Sequence, residues 1–111
     1  MTTTTIDCEV FAALQANVGA DFVAELVDTF AAEAPQLLAE LRAAQAAGAA
    51  EAFRRAAHAL KSNGNAFGAT RFAEAARALE LGGLAATASG VDALAQEFER
   101  ALAALRALSH G

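Results

Sequence analysis

The 111-residue chain has no Trp and no Tyr, and holds one Cys, one Pro, one Met and one Lys. Each scarcity excludes something. A lone thiol, Cys8, rules out an internal disulfide and a cysteine-rich metal site, and it reads as an inert helix residue. The first residues, Met-Thr-Thr-Thr-Thr-Ile-Asp, lack the cationic start and apolar run of a secretory signal. No uncharged apolar stretch approaches the roughly 18 residues that span a bilayer. Eight basic against thirteen acidic side chains leave a net charge of −5, which repels nucleic acid and anionic membranes unless the cations cluster. The expectation is a soluble, cytoplasmic protein without nucleic-acid or membrane partners.

What is present is alanine, 34 residues of it, within a composition that is 56% hydrophobic. Alanine is the strongest helix former and Val and Ile are few, so a sheet protein is excluded in favour of helices. Alanine adds little buried area, so the seven Phe and the thirteen Leu must build the core. A chain of this size buries about two-thirds of its unfolded surface, enough for one domain over residues 1–111.

Glycines and the single proline punctuate a series of helical patterns. A short first helix starts at an Asp7 N-cap and stops at Gly19. The second starts near Asp21 with the stripe Phe22, Leu26, Phe30, Ala34, Leu37, Leu41, and Pro35 inside it predicts a kink or short break. The third runs from about Ala49 to an αL stop at Gly68, and the fourth from Thr70 to Gly82-Gly83 with Phe72, Ala76 and Leu79 inward. After a loop-like run from Gly82 to Gly90, Ser89 reads as an N-cap with Asp92 completing a capping-box-like pair. The last helix carries Val91, Leu94, Phe98, Leu102, Leu105 and Leu108. Short connections make neighbours antiparallel, so the expected fold is an all-α, up-and-down four-helix bundle with a short additional N-terminal helix. A bundle that closes its own core is expected to be a monomer.

No Gly-rich phosphate loop, metal-ligand cluster or Ser/His/Asp spacing stands out. Of the two histidines, His110 sits in a Ser-His-Gly tail and reads as a frayed end. His58 can be placed on a helical wheel at about 100° per residue. Phe53, Ala57, Leu60, Gly64 and Phe67 define the inward stripe, and His58 lies about 140° from it, facing solvent. Lys61, three residues on, and Arg54 lie on the near flank of the wheel, with Glu51 and Asn65 at about the same angle as His58 and Ser62 beyond. Residues 51–77 hold five cations, Arg54, Arg55, Lys61, Arg71 and Arg77, against Glu51 and Glu74. Charges alone describe an ordinary solvated helix face.

Residues 57–68 read Ala-His-Ala-Leu-Lys-Ser-Asn-Gly-Asn-Ala-Phe-Gly, which resembles the signature of histidine-containing phosphotransfer (HPt) domains: His-x-x-Lys-Gly, small residues, then a second Gly. His58, Lys61, Gly64 and Gly68 match; Ser62 stands where the family usually has Gly, with a hydroxymethyl group that can obstruct a docking partner or add a hydrogen bond. The resemblance extends to the Phe22–Pro35–Leu41 helix and to Arg77-Ala-Leu-Glu80, about residues 10–105. It implies a phosphorelay carrier that takes a phosphoryl group from a receiver-domain aspartate onto His58 and passes it to another, with Lys61, and more weakly Arg54 or Arg55, neutralising phosphoryl oxygens. The implied partners are response-regulator receiver domains, including those of hybrid histidine kinases. No cofactor is expected of the chain itself; Mg2+ comes with the receiver, since no acidic cluster here would hold it. A neutral imidazole needs no strong base, so no partner carboxylate is expected, and Glu51 is too distant to orient the ring.

Gly64, on the inward stripe, is read as a point of close helix approach, and Asn65 either bonds near the site or caps the helix end. Two other readings follow from the same residues. The chain is a passive interaction module without chemistry at His58, or the N-terminal phosphotransfer fragment of a chemotaxis-type kinase. The dimerisation domain of ordinary sensor kinases fits less well, because Ala59 rather than an acidic residue follows the histidine.

Overall fold

The computed structural model describes residues 5–85 and 88–110, with the side chains of 88 and 110 left aside. The expectations for His110 and for part of the Gly82–Gly90 run therefore lie outside the described residues. Helix α1 spans Cys8–Val18, α2 Ala20–Ala47, α3 Ala50–Phe67, α4 Thr70–Gly82 and α5 Ala88–His110, with a single 3₁₀ turn at Gly83–Ala85. No strand occurs among the described residues.

The helix boundaries follow local chemistry. The Asp7 carboxylate accepts from the backbone N–H groups of Glu9 and Val10 at 3.0 and 3.3 Å, satisfying donors that α1 cannot. Gly68 ends α3 at φ +75°, in the left-handed region. A Cβ there would lie 2.9 Å from the Asp7 carbonyl oxygen and from Val10 Cβ, and the Gly68 oxygen accepts the Asp7 N–H at 2.7 Å. The same glycine thus turns the chain into α4 and seats α1 against it. Cys8 is exposed in the first turn of α1.

Each long helix packs against its chain neighbour, and α5 closes back on α2; α3 and α4 share the most extensive contact. Phe30 of α2 sits where all four meet. Its ring centroid lies 5.4 Å from Phe67 of α3, 5.5 Å from Phe72 of α4 and 5.3 Å from Phe98 of α5. Such tilted and edge-on pairs contribute about 0.5–1.5 kcal/mol each beyond burial. Val23, Val27, Leu41, Phe53, Leu60, Leu94 and Leu105 complete the buried set.

Four expectations are corrected. The short break weighed at Pro35 does not occur: α2 continues through that exposed residue as one helix, and the buried stripe runs on through Ala34, Leu38 and Leu41. That stripe is Val23, Val27, Phe30, Ala34, Leu38, Leu41, and Phe22 is 48% exposed, because the first turns of α2 are rotated by one residue from the Phe/Leu pattern. In α5 the small Ala101 is fully buried, while Leu102 is half-buried and Leu108 exposed. Ser89 lies inside α5 rather than before its first residue, and the Asp92 carboxylate pairs with Arg42 of α2 at 2.8 Å.

Candidate functional site

The wheel for α3 holds: Phe53, Ala57, Leu60, Gly64 and Phe67 are buried, and the His58 side chain is 56% exposed. Because Gly68 and Ala69 fold α4 straight back along α3, residues before the turn meet residues after it. Gly64 sets the spacing. A Cβ on it would stand 2.7 Å from Phe72 Cδ2 and 3.2 Å from Ala73 Cβ and N, so α4 lies closer to α3 than any side chain there permits. The expected close approach at Gly64 is present.

This approach brings Glu80 of α4 to the site. One Glu80 oxygen, Oε2, lies 2.7 Å from His58 Nδ1, and the other, Oε1, lies 2.7 Å from Lys61 Nζ. Lys61 is 25% exposed and Glu80 14%, so the pair is sheltered while the imidazole projects. The absence of a partner carboxylate expected from the sequence is therefore wrong: His58 has one, supplied from 22 residues downstream. Glu51, as expected, is not that partner; it binds Arg54 and approaches Arg55 at 3.9 Å.

The Lys61 hydrogen bond, then that of His58, holds the Glu80 carboxyl below the usual carboxylate range against a smaller opposing effect of burial. An ionised carboxylate only accepts, so Nδ1 of a neutral His58 must carry the proton it shares with Glu80. Nε2 then keeps its lone pair, on a side chain that is more than half exposed. The arrangement fixes which nitrogen can act as a nucleophile.

The remaining sequence-selected residues divide between the site and its surroundings. Lys61 is one turn from His58 but its ammonium is engaged by Glu80. Arg54 and Arg55 are turned toward Glu51, whose carboxyl the Arg54 hydrogen bond holds below its ordinary range. Ser62 is exposed on the His58 face. Asn65 is exposed too; its carbonyl accepts the Gly68 N–H at 3.2 Å within the helix stop. Glu80 is the residue that sequence reasoning missed as part of the site. Reflection about the Gly68–Ala69 turn pairs the region of His58 with that of Glu80 and was the available signal. Among the described residues no group of three or more His, Cys, Asp or Glu side chains is arranged to hold a metal, and no single helix is long and apolar enough to cross a membrane.

Comparisons with known proteins agree with this geometry. The family model described as the Hpt domain matches residues 25–107. No curated protein sequence matches the chain. Among solved structures it resembles the crystal structure of histidine-containing phosphotransfer protein B (HptB) from Pseudomonas aeruginosa PAO1, at 30% identity and a TM-score of 0.73, covering 98% of this chain and 94% of that one.

Proposed function

We propose that this chain, which belongs to the Hpt family of histidine-containing phosphotransfer domains, carries its phosphoryl group on Nε2 of His58. A histidine phosphotransfer protein works in a phosphorelay, and Hpt proteins interact with the receiver domains of response regulators. The observation that carries the assignment is the carboxylate of Glu80, 2.7 Å from Nδ1 of a ring that is itself more than half exposed. A histidine with only a structural role has no need to project into water with one nitrogen held and the other open.

The reaction then proceeds as follows. The Nε2 lone pair attacks the phosphorus of an aspartyl phosphate on the receiver; a P–N bond forms, the acyl P–O bond breaks, and the aspartate leaves as a carboxylate. Attack makes the ring cationic, and Glu80 meets that charge through the Nδ1–H it already holds. Lys61 can exchange Glu80 for the equatorial phosphoryl oxygens, a charge-assisted contact suited to an ammonium. Arg54 and Arg55 would have to leave Glu51 to join it. Ser62, exposed beside the ring, borders the path of the incoming receiver, while Gly64 and Gly68 set the backbone that brings Glu80 and the turn into place. Onward transfer to a second receiver, including one of a hybrid histidine kinase, reverses these steps. The protein is a carrier with a covalent phosphohistidine intermediate, drawing on another protein rather than on ATP, and Mg2+ comes with the receiver. The two-residue turns after α2 and α3 and the closure of α5 on α2 support reading α2–α5 as an antiparallel up-and-down bundle that closes as a monomer.

The test is labelling by a purified phospho-receiver. Wild-type protein should acquire the label and His58→Gln should not; a variant labelled as fast as wild type ends the assignment. Phosphorus–nitrogen coupling in a ¹⁵N-histidine sample should place the phosphoryl on Nε2, and coupling to Nδ1 instead would contradict the role given to Glu80.

A further inference from the structure

Between α3 and α4, on the side of Lys61, lies a polar hollow of about 350 Å³ lined by Lys61, Asn65, Thr70, Ala73, Glu74 and Arg77. All eight cations of the chain fall among the described residues, and six are within 4 Å of a carboxylate: Arg42 with Asp92, Arg54 and Arg55 with Glu51, Lys61 with Glu80, and Arg71 and Arg100 with Glu97. Among the described residues Arg77 and Arg106 have no such partner. Arg106 lies near the end of α5, whereas Arg77 stands one turn before Glu80 on the same helix and is exposed. Glu74 shares the hollow without forming an ion pair with Arg77. The cation lining this hollow that has no carboxylate within 4 Å among the described residues is thus a planar fork of donors suited to a carboxylate.

We propose that Arg77 is the docking cation for the receiver, its guanidinium taking an acidic side chain on the rim of the receiver's phosphorylation site. This rests on the assignment of His58. A partner that presents an aspartyl phosphate and holds Mg2+ must carry carboxylates around that site, while this chain is acidic overall and needs local positive charge to meet them. Lys61 is tied to Glu80 and is drawn into the chemistry; Arg77 is free to act during encounter. Glu74 repels a carboxylate that misses the guanidinium, which narrows the accepted poses. Arg77 is accordingly a positioning and selectivity residue, not a catalytic one.

The experiment follows transfer from a phospho-receiver to wild type, Arg77→Glu, Arg77→Lys and, as a control of equal charge change, Arg106→Glu. Arg77→Glu should raise the half-saturating receiver concentration about tenfold, leave the maximal rate and the phosphohistidine lifetime within twofold, and flatten the salt dependence. Arg77→Lys should recover most of the loss, and Arg106→Glu should behave as wild type. Circular dichroism establishes that each variant is folded, and Arg77→Gln replaces Arg77→Glu if the latter is not. An unchanged half-saturation, an equal effect of Arg106→Glu, or a loss confined to the maximal rate overturns the proposal. If wild type labels at His58 and the Arg77 variants match it, only the docking role falls; if wild type does not label, the assignment of His58 falls with it.

Discussion

Replacing Gly64 by alanine sets two calculable effects against each other. Helix propensity favours the change: alanine in a helix interior is worth about 1 kcal/mol over glycine. Packing opposes it, because the new methyl would stand 2.7 Å from Phe72 Cδ2 and 3.2 Å from the Ala73 nitrogen, where ordinary contact begins at 3.4 Å. Phe72 is almost fully buried, with Phe30 edge-on to its ring at 5.5 Å and Phe98 tilted against it at 6.3 Å, so it has little room to swing. The relief must come from moving α4 outward by a few tenths of an ångström, and overpacking of this kind costs about 1–3 kcal/mol. The net is a loss of about 1 kcal/mol. With an unfolding entropy of about 2.1 cal/mol/K per residue over this chain, that lowers Tm by about 4 °C. The same movement draws Glu80 from His58, so transfer should slow more than the small stability change explains. Calorimetry and a transfer assay on Gly64→Ala check both. A Tm that rises by about 4 °C, as propensity alone requires, would falsify the close approach of α3 and α4 on which the site depends.

The other predictions are more direct. Gly68→Ala should destabilise by about 1–2 kcal/mol for the left-handed backbone alone, plus the contact with Asp7 and Val10, and amide exchange should show α1 loosening first. Pro35→Ala should stabilise α2 by up to about 3 kcal/mol, since it restores an N–H for the Ala31 carbonyl at an exposed position; an unchanged denaturation midpoint would mean that the helix has already adapted to the proline. Glu80 contributes stability that is present above the ordinary glutamate pKa of about 4.3 and lost as pH falls through its lower folded value, so the acid limb of a stability–pH profile should flatten in Glu80→Gln. Lys61→Ala should slow transfer or shorten the phosphohistidine lifetime with the helical circular dichroism intact, whereas unfolding would make Lys61 structural.

Most of the fold was legible because its signals are local. Asp7, Gly19, Gly68 and Gly82-Gly83 mark boundaries through capping and backbone sterics that depend on a few neighbouring residues. The inward stripe of α3 was clear because its outward residues are charged or polar. Helix α2 was misread at its start for the opposite reason: Phe22, Val23, Leu26 and Val27 are all apolar, so periodicity permits two stripes one residue apart, and only packing against the other helices selects Val23 and Val27. Alanine in α5 creates the same ambiguity, since burial of Ala101 over Leu102 is decided by the space left between helices.

The site divides along the same line. His58 and Lys61 lie on one helix and their relation is set by the rise and rotation per residue, so their shared face could be read directly. Glu80 could not be found that way. Its place depends on the turn at Gly68–Ala69 and on the absence of a side chain at Gly64, two features that are visible in the sequence but act together only when α4 is laid along α3. Nor does a list of charges reveal which cations are occupied. Lys61, Arg54 and Arg55 are equally positive in the sequence, yet each lies within 4 Å of a carboxylate in the fold, and Arg77 does not. A single carboxylate shared between an imidazole and an ammonium also ties their roles together. In the step proposed above, Lys61 gives up one Glu80 oxygen as it turns to the phosphoryl group, and that carboxylate is left to the imidazolium formed with it. On the proposed mechanism the positive charge that arrives on the ring takes the place at Glu80 that the Lys61 ammonium gives up, so the carboxylate keeps a cationic partner through the step.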